Sequence, residues 1–151
     1  MFEAFQSLLS TLAPALHLPD IAVREDDPSC LLVLVDFEVS LRYLPGADMV
    51  MQFTVVAPLP EKGREALYAA LLDADTFFRG TQGFTLAARE DTGVTLQGVM
   101  PMRMLDGSNI AVWVQNFVNV AEIWQEYCLN GEEQPVQGEA SDIFPQDMLR
   151  V

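Results

Sequence analysis

The side chains that could carry chemistry are few and scattered. His17 is the single histidine. It has no second histidine with which to share a metal, and no cysteine beside it, so the usual zinc ligand set has no material. Its place near the end of the first predicted helix suits a cation facing the last carbonyls. Cys30 and Cys128 lie far apart and form neither a metal spacing nor a disulfide framework. Cys128 falls among apolar neighbours, as a buried and inert thiol does. The acid pairs Asp73/Asp75 and Glu90/Asp91 invite general acid–base chemistry. Each falls at a helix end or a turn, where acids are common, and reads as solvated surface. The chain contains no G-x-S-x-G elbow, no phosphate loop, no G-x-G-x-x-G and no calcium loop. Gly80 and Gly83 follow a helix rather than a strand, which argues against a phosphate cradle. The expectation is a protein that is no enzyme and uses no cofactor and no metal.

Composition narrows the partners. The chain has 151 residues, with 22 Asp and Glu against 8 Lys and Arg, and a net charge of -14. Nucleic acid is bound by neutralising phosphates with cations, and no basic patch exists here. Anionic membranes are disfavoured for the same reason. Solubility or a basic partner is the use such a surface has. No apolar run reaches the roughly 20 residues of a membrane span. The first 13 residues carry an acid and no base, unlike a signal peptide. A cytoplasmic, reduced protein is expected.

The elements that must carry any binding surface follow from periodicity. Phe2, Phe5, Leu8, Leu9, Leu12 and Leu16 recur at helical steps, with Pro19 as a stop. Leu31 to Asp36 is a continuous apolar run, read as a strand buried on both faces. Glu38 to Leu44 alternates, with Val39, Leu41 and Tyr43 on one side. Pro45-Gly46-Ala47-Asp48 turns the chain, and Met49 to Ala57 returns with Met49, Met51, Phe53 and Val55 on one face. A second helix is expected from Pro60 to about Phe78. Phe84 to Arg89 and Val94 to Met100 flank a tight turn. A last helix starts near Asp106 or Ser108 and stops at Asn130-Gly131. Helix, antiparallel three-strand meander, helix, β-hairpin, helix is an α+β order. Residues 1–130 form one domain, and 131–151 form an acidic tail in which Ile143, Phe144, Met148 and Leu149 are a candidate anchor.

What remains for function is apolar surface. Met49, Met51, Met100, Met102 and Met104 occupy alternate positions in strand-like stretches. Methionine packs cores, and it also lines surfaces that accept varied partners. Met100, Met102 and Met104 lie beside Pro101 at an apparent sheet edge, where an extended peptide can add as a strand.

Two stretches resemble the class I, Tir-chaperone-like chaperones of type III secretion. Leu71-Leu72-Asp73-Ala74-Asp75-Thr76-Phe77-Phe78-Arg79-Gly80-Thr81-Gln82-Gly83 is similar to that family's helix end and G-T-x-G turn, with Asp75 in place of the usual Asn. Phe117-Val118-Asn119-Val120-Ala121-Glu122-Ile123-Trp124 is similar to its closing helix. The resemblance implies a homodimer joined around the second helix and the following strands, here Leu67, Leu71 and Phe77. It implies a secreted effector protein as partner, bound near its N-terminus as an extended segment. The grooves it implies run along the first helix and the outer sheet surface. The residues expected there are Phe2, Phe5, Leu9, Val33, Val35, Met51, Phe53, Met100 and Met102. The rival readings are an α+β interaction or regulatory module for a folded protein partner, and a small enzyme or ligand-binding domain using clustered carboxylates.

Overall fold

The computed structural model of the chain describes residues 2–131. The acidic tail, with its candidate anchor, otherwise lies outside the described residues. The elements run α1 (Phe2–Ala15), β1 (Ser29–Leu34), β2 (Phe37–Leu44), β3 (Met49–Ala57), α2 (Arg64–Asp75), β4 (Thr85–Arg89), β5 (Gly93–Pro101) and α3 (Ile110–Asn130). This is the expected α+β order. The strands form one antiparallel sheet in the order β1-β2-β3-β5-β4. The β3–β5 pairing joins the meander to the hairpin.

Alternation decides which side of the sheet is core. Val39, Leu41 and Tyr43 of β2 and Val50 and Val56 of β3 are buried, as is Leu96 of β5. Against this face α1 lays Phe5, Leu8, Leu9 and Leu12. Phe5 stacks on Tyr43 at 5.7 Å. The seam of α3 supplies Ile110, Val114, Phe117, Val118, Ala121 and Trp124. Phe117 meets Phe84 edge-on at 5.1 Å. Trp124 Nε1 donates to the Gly80 carbonyl at 2.9 Å, which ties the loop after α2 to the last helix. Two glycines answer to close approach. A Cβ at Gly98 would lie 2.7 Å from the Phe84 ring. One at Gly93, where φ is +100°, would lie 2.4 Å from the Ala57 carbonyl oxygen.

The helix limits differ from those expected, for local reasons. α2 begins at Arg64 rather than Pro60, because Gly63 takes a left-handed conformation (φ 76°). It stops at Asp75, and Phe77 and Phe78 follow with φ 54° and 55°. For α3, the Asp106 carboxylate accepts from the Ser108 and Asn109 amides at 2.7 and 3.1 Å, holding the approach to the helix. Gly131 ends it, left-handed, with its amide on the Tyr127 carbonyl at 3.0 Å.

Two strand readings are corrected. Among the described residues β1 is an edge strand paired only to β2, and Leu31 and Val33 stand out in solvent rather than being buried on both faces. Its apolar run reflects an exposed apolar face. Strand geometry also fails beyond Pro101. The Met102 amide donates to the Asp48 carbonyl at 2.9 Å, and residues 102–104 form a 3-10 turn. Met102 is therefore buried and Met104 exposed, so the three methionines share no face.

Polar side chains also sit inside this core, among them Gln52, Thr54 and Thr95. Gln52 is fully buried, its Nε2 reaches the Trp113 carbonyl at only 3.5 Å, and its Oε1 has no partner among the described residues. A buried, unsatisfied acceptor costs about 1–3 kcal/mol. Gln52→Leu is accordingly expected to raise stability by about 1 kcal/mol, measured as the urea midpoint at unchanged slope. A lower midpoint would show that Gln52 is satisfied in solution.

Candidate functional site

The face of β1, β2 and β3 turned away from α1 and α3 is built by the other half of each strand's alternation. Register places Ser29, Arg42, Met51 and Val99 in one row across β1, β2, β3 and β5. The next row is Leu31, Ser40, Phe53, Gln97 and, on β4, Thr85. Val33 pairs Glu38 in the row after that. Two apolar columns result. One is the β1 edge, with Leu31 56% and Val33 63% exposed, followed in the turn to β2 by Val35 at 84%. The other is Met49, Met51, Phe53 and Val55 along β3, half-buried or exposed, with Val99 of β5 beside Met51. Between them runs the polar column of Glu38, Ser40 and Arg42. Covering a Val or Leu completely stabilises by about 1.5–3 kcal/mol, so this surface holds binding energy that the folded chain leaves unused.

The β1 edge adds hydrogen-bonding capacity. A strand with one neighbour presents unpaired amides and carbonyls along its free side, a template for an extended peptide. Beside it, a cleft of about 360 Å³ lies between Leu18–Ala22 and Cys30–Val33. A second, of about 350 Å³, lies between Ala4, Ser7, Leu8 and Thr11 of α1 and the Met102–Gly107 segment.

Of the residues expected to bind, Val33, Val35, Met51 and Phe53 come together on or beside this outer surface. Phe2 is half-buried at the start of α1. Phe5 and Leu9 are fully buried and Met102 nearly so; they fill the core, because the single apolar stripe of α1 is consumed by the sheet. Met100 pairs with the buried Val50 and packs partly against the core, on a strand between β3 and β4 rather than at an edge. Leu31, Val99 and Glu38 were not singled out beforehand. The two-residue spacing of Leu31, Val33 and Val35 is the signal that points to the first.

The expected dimer residues divide as well. Leu67 and Leu71 are buried within their own chain, whereas Phe77 is partly exposed. Leu72, 71% exposed, and Phe78 lie beside it. In the same loop Arg79 Nε and Thr81 Oγ1 are buried without a hydrogen-bond partner among the described residues. Asp75 is half-buried rather than freely solvated. It accepts the Leu86 amide at 2.9 Å and so ties α2 to β4, and burial raises its carboxyl above the usual range against that hydrogen bond. Glu90 and Asp91 are surface ion pairs with Arg64 and Arg89.

Among the described residues, no group of three or more acids, cysteines or histidines is placed to hold a metal. None of the described helices is long and apolar enough to cross a membrane.

Residues 7–125 match the family model described as the Tir chaperone protein (CesT) family. No curated protein sequence matches the chain. Among solved structures, a chain of the ExsC–ExsE complex superposes with a TM-score of 0.69 at 19% identity, over 85% of this chain and 96% of that one. A chain of the HopA1–SchA chaperone–effector complex gives 0.66 at 16%, over 83% and 95%. A chain of the complex of the Yersinia pestis type III secretion chaperone SycH with a fragment of YscM2 gives 0.60 at 20%, over 78% and 96%. At such identities the likeness is one of fold.

Two measurements check the division into core and surface. Phe5→Ala is expected to lose about 3–5 kcal/mol of stability, whereas Val33→Asp changes it by no more than about 0.5 kcal/mol; equal losses would refute the division. Burial pushes the thiols of Cys30 and Cys128 up to about 11. At pH 8 both stay protonated, so alkylation by iodoacetamide should run roughly 100-fold slower than for a thiol at the ordinary value of 9.0. It should accelerate on unfolding.

Proposed function

The chain belongs to the Tir chaperone protein family, and from that membership we propose that it is a type III secretion chaperone. It binds an extended segment near the N-terminus of a secreted effector and holds that segment soluble and competent for export. The observation that carries this reading is the free β1 edge with its exposed apolar ridge of Leu31, Val33 and Val35. An edge of this kind invites aggregation unless something covers it. An added strand satisfies the backbone groups and the ridge together, and an unfolded segment is the partner that can supply one.

The mechanism asks only for association. A client segment that cannot bury its own apolar residues gains cover, and the complex bears the entropy of ordering it. No bond is made or broken, and the protein acts without a cofactor. The place of action is the cytoplasm, where an effector waits before export. Two copies act together, joined around the segment after α2. The support for this joint is the exposed Leu72, Phe77 and Phe78, with the left-handed backbone at both phenylalanines. A partner surface that covered these side chains would offset that strain.

The test is capture of the tagged chain from its native host, followed by mass determination and limited proteolysis of what co-purifies. Two copies of this chain with one larger protein, protected over an N-terminal segment, is the expected result. Leu31→Asp with Val33→Asp should lower the yield of that complex at least tenfold at unchanged thermal stability. A partner that is folded throughout and shows no protected segment would instead make the chain an interaction module.

A further inference from the structure

The polar column on the outer face carries one charge with no ion-pair partner among the described residues. Arg42 reaches the Asp27 carboxylate at 3.5 Å. Glu38, four residues earlier on the same column, is exposed and forms no salt bridge among the described residues. Its cross-strand neighbours are apolar. Val33 is its partner on β1, and Thr54 Oγ1 donates to its carbonyl at 3.0 Å, which sets it beside the exposed Val55 of β3. A lone carboxylate flanked by two exposed valines selects for a cation with an aliphatic stem.

The hairpin tip next to it is strained. Val35 takes φ 52° while 84% exposed. A left-handed conformation costs an L-residue about 1–2 kcal/mol, and a β-branched side chain tolerates it worst. An exposed side chain recovers none of this by packing within its own chain. Strain kept at an exposed apolar tip points to a contact made outside the chain.

Resting on the chaperone reading, we propose that the client segment is selected by charge at this point. It carries a Lys or Arg whose stem lies over Val33 and whose head meets Glu38, with an apolar residue beside it seated on Val35. The occupant is thus an extended segment with a basic residue among aliphatic ones, complementary to a chain whose net charge is -14.

Displayed libraries of random 12-residue peptides, selected on the full-length protein, test this. Wild type should enrich peptides in which one Lys or Arg is flanked by Val, Ile or Leu. Glu38→Lys should weaken the best such peptide at least tenfold and shift selection toward Asp or Glu. Glu122→Lys, an equal charge change on the exposed side of α3, should stay within twofold of wild type. Val35→Gly should raise the melting temperature yet weaken the same peptide about tenfold. Enriched peptides without a basic preference, equal effects of Glu38→Lys and Glu122→Lys, or unchanged binding by Val35→Gly would overturn the inference and leave the chaperone reading standing. No enrichment at all on wild type would remove both.

Discussion

The fold depends on an imbalance between one sheet and the helices that cover it. The strands β1 and β3 carry apolar residues on both sides of their alternation, with the polar outer side of β2 between them, yet α1 and α3 cover one side. Each helix has a single apolar stripe, so neither can serve both faces. The core forms on the side where Phe5, Leu9, Phe117 and Trp124 meet Val39, Leu41 and Val50. The other side keeps Leu31, Val33, Met51, Phe53 and Val99 at or near the surface. Burial on one face and availability on the other are consequences of the same register.

Four of the six non-glycine residues with positive φ among the described residues fall in two connections. Val35 sits at the β1–β2 tip, and Phe77, Phe78 and Gln82 lie in the loop after α2. All four adopt the left-handed backbone that side chains normally avoid. The loop after α2 is also anchored firmly, through Trp124 to Gly80 and Asp75 to Leu86. A strained segment held at both ends presents its side chains in fixed directions. Such preorganisation reduces the entropy lost on binding. A protein whose work is to hold other chains gains more from fixed apolar surfaces than from polar chemistry, and the scatter of its titratable groups agrees with that.

Much of this was legible in the sequence, for definite reasons. Element order and type followed from periodicity, since helical and strand spacings differ and few long loops intervene. The stop at Gly131 and the turn into β5 at Gly93 followed from glycine's conformational freedom. The match of Leu71–Gly83 and Phe117–Trp124 to a known family was readable because those residues fix a turn, a tryptophan anchor and a helix seam.

What the sequence could not decide was on which side an apolar residue ends. Phe5 and Val33 are both apolar and both fit a groove, yet one is fully buried and the other stands in solvent. Alternation divides a strand into two faces without saying which one the helices will take. That choice depends on the pairing order β1-β2-β3-β5-β4, which puts β1 at an edge and β5 in the interior. Met100 and Leu31 exchanged their expected places for that reason. The sequence determined the elements and the family, because local spacing and short motifs encode them; tertiary structure alone decided core from surface, because burial is a property of what packs against a residue and not of the residue itself.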